Sequence, residues 1–103
     1  VSLPNVNTVY PYAFYSCKNL EKVIFGGELT IGDWVYGLFL NSDIEFVDFS
    51  ECNKLERLPN YMFKGCSKLN SIKLPENGKL RVIGSRLFED CELLSEVILP
   101  NTI

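Results

Sequence analysis

The chain repeats itself, and that constrains its fold more than any other feature. An apolar-x-apolar tripeptide recurs at Val1-Ser2-Leu3, Val23-Ile24-Phe25, Val47-Asp48-Phe49, Ile72-Lys73-Leu74 and Val97-Ile98-Leu99, in steps of 22, 24, 25 and 25 residues. A second element runs in phase with it. Ala13-Phe14-x-x-Cys17-x-x-Leu20 matches Met62-Phe63-x-x-Cys66-x-x-Leu69 and Leu87-Phe88-x-x-Cys91-x-x-Leu94. Two motifs locked in one phase define a unit that has too few apolar side chains to bury a core of its own. Such a unit buries them by stacking on copies of itself, which is the logic of a solenoid.

Within a unit, the β-branched and aromatic tripeptide alternates as a short strand does. Proline at Pro4, Pro75 and Pro100, or Gly26-Gly27, ends it, because proline gives up a ladder hydrogen bond. From Phe63 to Leu69 apolar residues stand at i, i+3 and i+6, the spacing of one or two turns of helix or 3₁₀-helix, too short to be stable alone. Parallel strands of successive units then pair about 4.8 Å apart, and crossovers of this kind are nearly always right-handed. The second unit is irregular. Matching Ile31-Gly32-Asp33-Trp34-Val35-Tyr36 to Ile83-Gly84-Ser85-Arg86-Leu87-Phe88 assigns Tyr36 to the Phe slot, Asn41 to the Cys slot and Ile44 to the Leu slot. About two extra residues then fall near Gly37-Leu38-Phe39-Leu40.

These residues resemble a known family. The general leucine-rich repeat pattern, L-x-x-L-x-L-x-x-N/C, is matched by Ile44-x-x-Val47-x-Phe49-x-x-Cys52 and Leu69-x-x-Ile72-x-Leu74-x-x-Asn77. Leu94-x-x-Val97-x-Leu99-x-x-Thr102 follows it, and Leu20-x-x-Val23-x-Phe25-x-x-Glu28 is the poorest match. Leu-Pro after the strand, Ile-Gly before the turn, and Ala-Phe-x-x-Cys resemble the BspA-like class of these repeats. The departures are Tyr10 and Pro59 in the glycine slot, Asn41 in place of cysteine, and Glu28 in the Asn/Cys slot. The expected fold is therefore an α/β right-handed leucine-rich-repeat solenoid, horseshoe-like. Its parallel strands line the concave face, with short helical or 3₁₀ turns between them. It comprises about four units, approximately 1–22, 23–46, 47–71 and 72–96, and a fifth beginning at 97–103. Neither end shows the polar cap of a free-standing solenoid, so the segment is expected to belong to a longer array. The resemblance further implies an extracellular or cell-surface protein used for adhesion or protein recognition.

Composition removes several function classes. The chain has no histidine and a net charge of -3, which excludes Ser-His-Asp and Cys-His catalysis and histidine metal sites. It also argues against sequence-blind nucleic-acid binding, which needs a basic surface. No apolar run approaches the roughly 20 residues of a membrane span. There is no phosphate-binding glycine loop, nucleophile elbow or calcium loop, and the acidic turn of Glu89, Asp90 and Glu92 reads as solvated. No enzyme activity, metal or cofactor is expected.

Cys17, Cys66 and Cys91 share one slot, and Cys52 lies in the Asn/Cys slot, where it packs and supports the turn. No C-x-x-C pair supports a zinc or redox motif. On adjacent rungs Cys66 and Cys91 would lie about 5 Å apart. Two readings stand, a packed ladder of free thiols, which burial preference favours, and a disulfide of demanding geometry.

Strand residues that alternate away from the core are Ser2, Ile24, Asp48, Lys73 and Ile98, joined by Lys22, Phe46, Ser71 and Glu96 just before the strands. They tile one sheet face that mixes both charge signs with apolar side chains, a composition suited to a protein partner. Lys22, Ile24, Phe46, Asp48, Lys73 and Ile98 are the candidate contacts. The plainer readings are that lone exposed apolar residues are ordinary, or that Phe46 folds into the irregular unit. A second row, Tyr12, Trp34 and Tyr61 with Arg86 capping it by a cation–π contact, offers either a platform for a sugar or a peptide or semi-exposed packing. Nothing in the sequence singles out a glycan. The expected function is non-catalytic recognition of a protein partner, and the alternative is a structural spacer with no ligand of its own.

Overall fold

The computed structural model describes residues 1–76, 79–95 and 97. Among them are six short strands, β1 (Ser2–Leu3), β2 (Lys22–Phe25), β3 (Phe46–Asp48), β4 (Arg57–Leu58), β5 (Ser71–Lys73) and β6 (Val82–Ile83). Four form one parallel sheet in the order β1-β2-β3-β5. Its register is the repeat itself. Val23 pairs with Val47 and Val47 with Ile72, while Ile24 pairs with Asp48 and Asp48 with Lys73. Identical alternation in every unit points Val23 and Val47 into the core, where both are fully buried. The fifth unit beginning at 97–103, apart from Val97, lies outside the described residues.

A second sheet pairs β4 with β6 in parallel, Arg57 with Val82 and Leu58 with Ile83. It arises from the apolar residue before Pro59 and Gly84. Leu58 is fully buried on the core side.

The turns correct the expectation of short helical or 3₁₀ segments: no helix occurs among the described residues. The N–H groups of Ala13, Tyr15 and Cys17 close local turns on Tyr10, Tyr12 and Phe14. Those of Tyr12, Phe14 and Ser16 instead donate to the Tyr36, Leu38 and Leu40 carbonyls of the next unit, at 2.9–3.3 Å. The same alternation carries Gly37, Phe39 and Asn41 to Asn60, Met62 and Lys64, and Tyr61, Phe63 and Gly65 to Ser85, Leu87 and Glu89. A helix would keep every N–H local. Here every second peptide is turned outward by paired left-handed residues four apart: Tyr12 and Ser16, Gly37 and Asn41, Tyr61 and Gly65, Arg86 and Asp90. That conformation costs a non-glycine residue about 1–2 kcal/mol, which the bonds between units offset.

These bonds also correct the alignment of the second unit. Phe39, not Tyr36, occupies the Phe slot. Its ring stacks on Phe14 at 4.9 Å and on Phe63 at 5.4 Å, and Phe63 stacks on Phe88 at 5.7 Å, all within 9° of parallel. Ser42, not Asn41, therefore holds the Cys slot, where its hydroxyl donates to the Cys17 carbonyl and accepts from the Ile44 N–H. The extra residues lie upstream, around the turn closed by Val35 N–H on the Gly32 carbonyl. Spacing from Ile31-Gly32 favours Tyr36, but the column is fully buried at Phe39 and Phe63. A tyrosine there would need a partner for its hydroxyl. A shorter column, Phe25 on Phe49 at 5.5 Å, lies beneath the main sheet.

Surface ion pairs join successive units, Glu28 to Lys54, half-buried Asp43 to Lys68, and Glu56 to Arg81. In each the acidic partner belongs to the earlier unit. Pairs this open to solvent add little stability.

Candidate functional site

The outer face of the four-stranded sheet brings most of the sequence-selected residues together. Lys22 stands beside Phe46, and Phe46 beside Ser71. In the neighbouring row, Ser2, Ile24, Asp48 and Lys73 stand side by side. Lys22 and Lys73 are exposed, while Ile24, Phe46 and Asp48 are half-buried. The Lys22 ammonium lies 5.3 Å from the Phe46 ring centroid, which holds the ring against the sheet. Phe46 is thus part of this face and is not folded into the core. Ile98 lies outside the described residues.

Asp48 is oriented from below: the Ser50 N–H donates to its Oδ1 at 2.8 Å. Burial acts to raise this carboxyl, but the Ser50 hydrogen bonds and the charges of Lys73 and Lys22 outweigh it and hold the group below its ordinary value. It is therefore a fixed anion between two cations at neutral pH. Beyond Lys73 the sheet edge opens into a cleft of about 440 Å³ lined by Ser50, Glu51, Asn53, Leu74 and Glu76. Sequence reasoning missed this cleft, because its walls come from loops of two units and no motif marks them.

The aromatic row is corrected. Gly37 (φ 65°), not Trp34, stands between Tyr12 and Tyr61. The Tyr12 ring lies over Gly37 so closely that a Cβ there would meet its Cε1 at 2.6 Å. Trp34 is displaced to the edge of Tyr10, and Tyr12 instead meets Tyr36 and Tyr15 edge-on. Arg86 does not cap a ring: it faces Glu89 at 3.7 Å. Lys64 lies over Tyr61 instead.

All four cysteines are free thiols, so of the two readings the structure takes the unbridged ladder. Cys66 and Cys91 donate to the Phe39 and Phe63 carbonyls of the preceding units, each at 3.0 Å. Burial pushes the Cys66 thiol from 9.0 up to about 12 and the Cys52 thiol up to about 11. Both hold their protons more tightly folded than unfolded. Their contribution to stability is thus constant below about pH 9 and declines as pH rises from there toward 11–12. Urea melts at about pH 8 and about pH 10.5 should show that decline, and it should be shallower in Cys66→Ala. Native Cys52 and Cys66 should also resist iodoacetamide under conditions that alkylate them in urea.

Among the described residues no group of three His, Cys, Asp or Glu side chains is placed to hold a metal. Nor, among the described residues, is any helix long and apolar enough to cross a membrane. Stacked short units joined by parallel strands and turn-to-turn hydrogen bonds define a leucine-rich-repeat solenoid. The chain belongs to the BspA type leucine rich repeat family, whose model matches residues 1–103 with six copies. No curated protein and no solved structure matches it. Repeats of this family generally mediate protein–protein interaction or adhesion and are typically non-catalytic, in proteins that are typically surface or secreted.

Proposed function

We propose that the chain is a non-catalytic recognition module that binds a protein partner on the outer face of its four-stranded sheet, the concave side of a right-handed array. One observation carries the reading. The register sets half-buried Phe46 and Ile24 between the exposed cations Lys22 and Lys73, with the Asp48 anion fixed among them. An apolar centre with a charged surround is the composition of an interface hot spot. The short paired strands hold it rigid, which spares the ordering cost of binding. Ile98 is the sixth proposed contact, and the cell surface is the proposed location.

The test is a partner isolated by cross-linking, purified, and titrated calorimetrically. Phe46→Ala should weaken its binding by about 2 kcal/mol, roughly thirtyfold, while thermal melting stays near that of the parent. Unchanged affinity in a folded variant would remove Phe46 from the contact. Failure of any purified protein to bind saturably would favour a spacer.

A further inference from the structure

A second surface, away from the sheet, is built from aromatic rings that the recognition reading does not use. Tyr10 and Tyr12 of the first unit face Trp34 and Tyr36 of the second. The pairs meet edge-on at 5.7 Å (Tyr10 with Trp34) and 5.3 Å (Tyr12 with Tyr36), and Tyr15 joins Tyr12 at 5.9 Å. Buried Val35 separates Trp34 from Tyr36, and half-buried Pro11 separates Tyr10 from Tyr12. Each unit therefore turns two rings outward around an inward anchor. The five side chains remain 43–65% exposed.

We propose that this tile is a binding site for a neutral saccharide. Its polar atoms argue against an apolar occupant. None of the four phenolic hydroxyls, nor the indole N–H, has a hydrogen-bond partner within the protein among the described residues. A lipid or apolar helix laid over them would bury them unpaired, at a cost. Charge argues against an anion. Among the described residues, the lysines placed over rings lie elsewhere, Lys22 over Phe46 and Lys64 over Tyr61. Asp33 is exposed next to Trp34 in the chain, and the whole chain carries -3. Phosphates, nucleic acids and sulfated glycans need the opposite. Size argues for a small ligand: five side chains fall well short of the roughly 20–30 residues per side of a stable protein interface. A sugar ring offers C–H faces to aromatic rings and hydroxyls to unpaired donors, without charge.

Trp34 is the chain's single tryptophan, so its fluorescence reports on the tile directly. The 103-residue chain is titrated with cellohexaose, xylohexaose and maltohexaose, and with a heparin hexasaccharide as the anionic control. At least one neutral probe should give a saturable change in Trp34 emission, with a dissociation constant in about the millimolar range. Tyr10→Ala and Tyr36→Ala should each weaken it about tenfold, while Phe46→Ala on the sheet face leaves it unchanged. If either alanine variant loses its parent circular dichroism, Tyr10→Phe and Tyr36→Phe replace them; the two together should weaken binding by about threefold. The proposal is overturned by no saturable response up to about 10 mM, by undiminished affinity in the folded tyrosine variants, or by a tighter response to heparin. A protein partner that maps to these rings while no sugar does so overturns it as well.

Discussion

Phe39→Ala should remove a large part of the protein's stability. Phe39 is fully buried, with a parallel ring above and below it. Removing a buried phenylalanine costs about 3–5 kcal/mol, against roughly 5–15 kcal/mol of total stability for a small domain. The column cannot close over the gap, because the Phe14 and Phe63 backbones are held in place by their own bonds to Leu38 and Leu87. A urea melt followed by circular dichroism gives the loss directly. Tyr36→Ala makes the comparison sharp: that side chain is 43% exposed, so its removal should cost under about 1 kcal/mol. The reverse order of effects would return Tyr36 to the core slot that the spacing argument assigned to it.

Gly26→Val should detach the first strand and leave the rest folded. A Cβ at Gly26 would run into the Pro4 carbonyl oxygen, with the Pro4 Cα at 2.8 Å. The obstacle is backbone, so no rotamer change relieves it. β1 must move away, and it loses the bonds from Ile24 N–H to the Val1 carbonyl at 2.9 Å and from Gly26 N–H to the Leu3 carbonyl at 3.3 Å. Overpacking of this kind costs about 1–3 kcal/mol, concentrated at one edge of the sheet. Hydrogen exchange should show the Ile24 and Gly26 amides losing protection. The Phe49 amide, bonded to the Lys73 carbonyl at 2.7 Å, should keep it. Uniform loss across both would mean that the first strand is integral to the whole array.

Much of the sheet was legible because strand pairing follows side-chain alternation. Val23, Val47 and Ile72 had to share a face, and once they did, Lys22 with Phe46 and Asp48 with Lys73 followed. The register thus puts Lys22, Ile24, Phe46, Asp48 and Lys73 on one sheet face, as strand alternation requires. The turns were not legible. Apolar residues at i, i+3 and i+6 are compatible with a helix, but they fit equally a chain that turns every second peptide toward its neighbour. The tile of Tyr10, Tyr12, Trp34 and Tyr36 was half hidden for the same reason. Trp34 was placed by counting from Ile31, and the turn at Val35 changes the count.

Local spacing alone settles the period, the inward residues of the main-sheet strands and the order in which those strands pair, because each depends on a pattern carried within one unit. Which aromatic enters the column, where the extra residues of the second unit go, and whether a turn is helical are settled between units. They depend on a ring finding a ring, and an N–H finding a carbonyl, in a segment about 25 residues away in the chain. When Tyr36 and Phe39 compete for one slot, a single unit holds no record of the outcome. The stacked neighbours choose the phenylalanine, which is fully buried between two parallel rings where a hydroxyl would need a partner.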